Sequence, residues 1–377
     1  MKILCAQAIT PDEVIDRALI TIDGEKIVSV EPSVGARADL DASDKIAVPG
    51  FVDLHNHGGV GYEVVDGTLE AMRAISAHLA ANGVTSWLPT ALTNPWGKMR
   101  AAVEAIDAAM REGSHGADVL GAHLEGPYLN PAKKGAQPED HVLPPAVGEM
   151  DRELGDLISV VKYIAIACEM PGGLDLIREL RSKGIVVSLA HTEASYEQGC
   201  VAFDAGVTSL THVFNAMKSL HHREPGALAA ALLDERITAE LVWDNYHVLP
   251  PAARIAVKLK GPDRIALVSD AVSASGLKDG TYELGGQAIE VKAGLARLMD
   301  GTIAGATITL DQAMRNAAKY FPLKDAVKMA TSTPATSIGM GDRKGRLAPG
   351  YDADITLLNK DLGVESVYIR GREYRRN

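Results

Sequence analysis

The chain has 377 residues, 46% of them hydrophobic and 23% charged, a length that suits one barrel of about 250 residues with a smaller accessory domain. No apolar stretch approaches the roughly 18 residues needed to cross a bilayer, and a net charge of −11, from 49 acidic against 38 basic residues, speaks against nucleic acid as a partner. Three widely spaced cysteines, Cys5, Cys168 and Cys200, form neither a disulfide framework nor a cysteine metal site, and their thiols are expected to be buried and inert.

The N-terminal "MKILCAQAITPDEVID" meets an acidic residue early and lacks an apolar core with a cleavage site, so it does not read as a signal peptide and the expected location is the cytoplasm. Residues 1–48 read as short β segments, with Asp23-Gly24 marking a hairpin turn. The last 35 or so residues read the same way, so residues 1–48 and 340–377 are expected to fold together as a small β-sandwich domain around a barrel of residues 49–339. Within 49–339, eight apolar runs end in polar residues: "FVDLHNH", "VTSWLPT", "DVLGAHLEGP", "KYIAIACE", "IVVSLAHT", "VTSLTHVFN", "ITAELVWDN" and "RIALVSD". Helical segments such as "LEAMRAISAHLAANG" and "GLDLIRELRSKG" lie between them, closed by Gly83 and Gly184. Eight strands alternating with helices predict an α/β fold of the (β/α)8 TIM-like barrel type, whose active site lies at the C-terminal ends of the strands. After the eighth strand, "TYELGGQAIEVKAGLARLMDGTIAGA" reads as an inserted hairpin with Gly285-Gly286 at its turn.

The polar residues that end these runs carry the chemistry. His55 and His57 are two apart on a strand, so they face the same side and can converge on one ion. Taken alone, the pair reads equally well as hydrogen-bonded core histidines. Glu125 ends the third strand, His191 the fifth, His212 the sixth and Asp270 the eighth. Their common position at one barrel mouth favours a divalent metal site, with Asp270 as a further ligand or as the base that takes a proton from water. No G-x-S-x-G nucleophile elbow occurs, and the glycine-rich stretches lack the order of a dinucleotide or phosphate loop. Arg223, in the loop after the sixth strand, and His247 offer N–H donors and positive charge for a phosphate, which a local cationic pocket can bind whatever the net charge.

The motifs "PGFVDLHNHG", "HLEGPYL", "LAHTEASY", "THVFNAM", "REPG", "VSDAV" and "DGTIAGA" together resemble the N-acetylglucosamine-6-phosphate deacetylases of the amidohydrolase superfamily, from about residue 20 to about 370. The resemblance implies a metal-dependent barrel set into a β-sandwich from both termini, working as a homodimer. It implies that Glu125, His191 and His212 hold the ion common to the family, and that His55 and His57 hold another where two bind, with Glu125 bridging. It makes Asp270 the acid/base, and Asn215, Ala216, Arg223 and His247 substrate contacts, with Arg223 or His247 acting on the neighbouring subunit. Where some members carry a histidine that polarises the acetyl carbonyl, this chain has Gln137, an uncharged donor; His141, four residues on, is the alternative.

The expected reaction is hydrolysis of the 2-acetamido group of N-acetyl-D-glucosamine 6-phosphate to glucosamine 6-phosphate and acetate. The expected cofactor is one or two divalent ions per subunit, Zn, Fe, Mn or Co, with the His-x-His pair favouring two. Three rivals stand beside it: the galactosamine epimer as substrate, a cyclic amidase of the same superfamily, and a non-catalytic scaffold. The cyclic amidase often needs a carboxylated lysine after the fourth strand, where this chain has Glu169.

Overall fold

In the computed structural model, which describes residues 1–375 apart from Pro11, Val34 and Ala36, the eight apolar runs become the eight parallel strands of a barrel. They are Phe51–Asn56, Val84–Leu92, Ala122–Glu125, Val161–Ile166, Val186–Leu189, Ser209–Leu210, Thr238–Val242 and Ile265–Val268, hydrogen-bonded in that order. The first and eighth meet at their C-terminal ends, where the Asp270 amide donates to the His55 carbonyl at 2.8 Å and Asn56 bridges Ala271 in parallel. Every residue of these strands except the half-buried Lys162 is buried, as expected when helices cover the outside of a parallel sheet and side chains fill its inside.

Local chemistry explains the alternation. The helix Leu69–Ala81 starts where the Thr68 hydroxyl accepts the Ala71 amide at 3.1 Å, and the helix Tyr196–Ala205 starts at a reciprocal capping box between Ser195 and Gln198. Gly83 and Gly184 follow helices at φ 88° and 78°, the left-handed conformation that ends a helix at least cost in glycine.

Two expectations about the strands change. The third run is broken: Asp118–Val119 pairs separately from Ala122–Glu125. Between them Gly121 has φ 142°, and a Cβ there would lie 2.3 Å from the Lys162 side chain. The insertion after the eighth strand is not one hairpin but a four-stranded antiparallel meander, Gly280–Leu284, Gln287–Lys292, Leu295–Leu298 and Ile303–Ala306. Its first turn is the expected Gly285-Gly286, both at positive φ.

The terminal segments pair in one eight-stranded sheet, in which Leu40–Pro49 runs beside Lys2–Ile9 on one side and Ile355–Leu358 on the other. Its own core gathers Ile3, Ile20, Ile27, Ile355 and Tyr368, separate from the large core between barrel and helices. The Lys344 ammonium, 1% exposed, lies 2.8 Å from Asp118 beside the barrel and 3.1 and 2.7 Å from Asp352 and Asp354 beside the terminal sheet. No helix is long and apolar enough to cross a membrane among the described residues. Cys5 and Cys168 are buried, and burial pushes their thiols up to about 11 and about 12; Cys200 is only half-buried, contrary to expectation.

Candidate metal centre

The predicted ligands converge. His55 and His57 leave the first strand on the same side, with Nε2 atoms 3.1 Å apart. His191 and His212, after the fifth and sixth strands, bring their Nε2 atoms to 3.2 Å. Glu125 stands between the pairs: Oε1 is 3.2 Å from His191 Nε2 and 3.0 Å from His212 Nε2, and Oε2 is 3.3 Å from His57 Nε2. Two donor groups result, His55/His57/Glu125 and Glu125/His191/His212, each buried and each with its ligand atoms within 4.8 Å of one another. Asp270 Oδ1 faces the first group, 3.6 Å from His55 Nε2 and 3.4 Å from His57 Nε2.

For three of the four rings, the far side explains why the Nε2 atom points inward. His57 Nδ1 is 3.0 Å from the Thr90 carbonyl, His191 Nδ1 is 2.7 Å from the Lys133 carbonyl, and His55 Nδ1 is 2.9 Å from the Glu240 carboxylate. These acceptors hold the proton on Nδ1 and leave the Nε2 lone pair free. Facing lone pairs about 3 Å apart repel unless a cation or proton lies between them, so this donor set fits a divalent ion. His191, His212 and Asp270 have φ of 45°, 28° and 50°, a left-handed backbone that non-glycine residues adopt rarely and that concentrates at functional sites.

The electrostatics agree. Burial resists charge on His57, His212, Glu125 and Asp270, yet mutual attraction outweighs it. Asp270 and Glu125 push the His57 imidazole up to about 10, and Glu125 pushes His212 up to about 9. The histidines in turn hold Asp270 down to about 2 and Glu125 well below the usual carboxylate range.

A cavity of about 320 Å³ opens onto the centre. It is lined by His57, Glu125, His191, His212 and Asp270, by Gln137, Asn215, Ala216 and His247, and by Leu284, Thr302, Ile303 and Gly305 of the meander. Gln137 donates its amide N–H to Glu125 and accepts the Thr93 amide at 2.9 Å. His247 is held by Asp244, whose carboxylate lies 2.7 Å from Nδ1. Arg223 is exposed and does not line this cavity, and neither does His141. Glu169 is occupied elsewhere, accepting from Asn130 at 2.7 Å, Thr192 at 2.5 Å and the Glu193 amide at 2.7 Å.

Sequence reasoning missed the supports. Glu240 stood in the apolar run "ITAELVW", and a carboxylate inside such a run is the signal that would have found it. Asp53 lies two before His55, hence on the same strand face; it accepts from the Ser269 hydroxyl at 2.6 Å and the Ser269 amide at 3.1 Å, one residue before Asp270.

The model of the amidohydrolase family matches residues 46–374. The N-acetylgalactosamine-6-phosphate deacetylase of Escherichia coli O157:H7 is 36% identical over 359 residues, 95% of this chain and 94% of that protein. The N-acetylglucosamine-6-phosphate deacetylase of Vibrio furnissii is 35% identical over 360 residues, 94% and 90% of the two chains. Among solved structures, an N-acetyl-D-glucosamine-6-phosphate deacetylase mutant from Mycobacterium smegmatis, in complex with N-acetyl-D-glucosamine-6-phosphate, superposes with a TM-score of 0.95 at 34% identity over 99% of both chains.

Proposed function

The chain belongs to the amidohydrolase family, and from that premise we propose that it removes the N-acetyl group of N-acetyl-D-glucosamine 6-phosphate, giving glucosamine 6-phosphate and acetate. The observation that carries this reading is Glu125, shared by two histidine pairs and set beside Asp270 in a cavity that also holds Asn215, Ala216 and His247. Residues 1–48 and 340–377 are assigned to the small β domain and 49–339 to the catalytic barrel.

His55, His57 and Glu125 would hold one divalent ion, and Glu125, His191 and His212 another; zinc, iron, manganese and cobalt all suit such donors. When bound, the ion supplies Lewis acidity, acidifying a water and polarising the acetamide carbonyl. Asp270 accepts the proton of the attacking water on its carboxylate and returns it to the amine nitrogen as the carbon–nitrogen bond breaks. The Gln137 amide N–H, at the cavity wall, donates to the acetyl oxygen as negative charge develops there. Asn215 and Ala216 orient the sugar phosphate, and His247, with Nδ1 tied to Asp244, presents Nε2 to the substrate. Arg223, exposed on the single chain, serves the phosphate of a neighbouring subunit in a homodimer. The protein acts in the cytoplasm.

The galactosamine epimer is a second reading, favoured by the 36% identity to the Escherichia coli O157:H7 enzyme. Turnover of both phosphorylated amino sugars by metal-replete protein decides between them. A higher kcat/KM for the glucosamine form is expected; a preference for the galactosamine form moves the assignment to the epimer, and no hydrolysis of either overturns the reading.

A further inference from the structure

Glu240 is a carboxylate with no exposure, on the seventh barrel strand, Thr238–Val242. It reaches across the barrel interior to the first strand, where its Oε2 lies 2.9 Å from His55 Nδ1. The same oxygen also accepts the His212 backbone amide at 3.4 Å, a contact that a glutamine oxygen would keep. A buried carboxylate is costly to keep in an apolar strand, and a leucine would pack there with no such cost.

The partners of the other ligand rings sharpen the point. His57 and His191 rest on backbone carbonyls, of Thr90 and Lys133, and His212 Nδ1 has no partner among the described residues. Of these four rings, only that of His55 has a charged side chain on its Nδ1 among the described residues. A carboxylate on Nδ1 fixes the tautomer and makes the opposite nitrogen a stronger donor than a carbonyl does. His55 belongs to the group that Asp270 faces, not to the Glu125/His191/His212 group.

We infer that Glu240 is a positioning residue that sets the metal affinity of the His55/His57/Glu125 group, and so decides whether the centre holds a second ion. The inference rests on the metal centre of the reading above, but not on which sugar is hydrolysed. Without the Glu240 charge, the His55 ring remains in place but donates more weakly, and one ion is lost preferentially.

The test is equilibrium dialysis of zinc-loaded protein against graded chelator, with zinc counted per chain, for wild type and E240Q. Wild type is expected to hold two zinc ions. In E240Q the more weakly held ion should leave at about 10–100-fold lower chelator strength, while the other is released as in wild type and the ion-free protein melts unchanged. Equal retention of both ions in E240Q overturns the inference, as does saturation of wild type at one. Should E240Q not fold, wild type labelled with 15N at histidine answers the question: a downfield Nδ1 proton on His55 in the zinc-loaded protein supports the inference, and a bare Nδ1 overturns it. Two bound ions without hydrolysis would sink the deacetylase reading and leave this assignment standing.

Discussion

Asp270 faces the His55 and His57 imidazoles at 3.6 and 3.4 Å and borders the cavity, so it stands between the donor group and the open space. A positioned general base contributes about 10²–10⁴-fold. Asp270→Asn is therefore expected to lower kcat by that factor while metal per chain stays unchanged; near-normal turnover with metal bound would remove Asp270 from its role. The same residues set the pH response of ion uptake. In the ion-free protein the carboxylates push His57 and His212 up to about 10 and about 9, so both carry protons at neutral pH and a cation must displace them. Affinity should weaken as pH falls, by about tenfold per unit for each proton displaced. Calorimetry in buffers of different ionisation enthalpy measures the release, and uptake without it would mean that the two imidazoles are already neutral before the ion arrives. Residues of this kind were legible in the sequence because each ends an apolar run. Glu240 was not, because it sits inside one, where alternation normally hides a packing residue. Arg223 was legible as a motif, but a single sequence does not say whose cavity a loop residue fills.

At the scale of elements, the meander does more than decorate the barrel. Its last strand, Ile303–Ala306, holds the backbone of Asp270: the Ala306 amide donates to the Asp270 carbonyl at 2.7 Å. Gly305 makes that approach possible, with φ 64° and room for no side chain: a Cβ would lie 2.4 Å from Val272 Cγ1 and 3.0 Å from the Asp270 carbonyl. Gly305→Ala should cost about 1–2 kcal/mol for the left-handed backbone and a further 1–3 kcal/mol, roughly, for overpacking. It should also lower kcat by about 10²-fold through displacement of Asp270. Gly301→Ala is the control, since Gly301 shares the positive φ, at 91°, but has open space around it. It should lose only the backbone share of stability and keep kcat; equal losses of kcat in both variants would refute the contact with Asp270. The sequence announced this element as a single hairpin because Gly285-Gly286 is a strong turn signal. The later turns, around Ala293-Gly294 and Asp300-Gly301, lie in a mixed stretch where strands of four residues leave too short an alternation to read.

At the scale of the whole molecule, the barrel was legible because eight runs of alternating strand and helix admit few other closures. How the terminal sheet docks was not, because it depends on a cluster drawn from distant positions. Lys344 sits between Asp118 of the barrel and Asp352 and Asp354 of the terminal sheet, its side chain 1% exposed and those of the last two 3% and 4%. Lys344→Met keeps the length and packing but removes the charge that faces all three carboxylates. Breaking a buried ion pair from one side typically costs about 3–5 kcal/mol, so urea unfolding should register a loss of that order. Acid then discriminates the cause. Burial would raise the Asp352 carboxyl, but Lys26, Lys344 and Arg343 outweigh it and hold the group well below the usual carboxylate range. Its folded pKa is thus lower than its unfolded one, so its contribution is complete above the unfolded value, near 4, and fades as pH falls toward the folded one. Lys344→Met shrinks that difference, so the gap in stability between wild type and variant should narrow steadily below about pH 4. A gap that stays constant through that range would mean that lost packing, and not the carboxylates deprived of Lys344, accounts for the destabilisation.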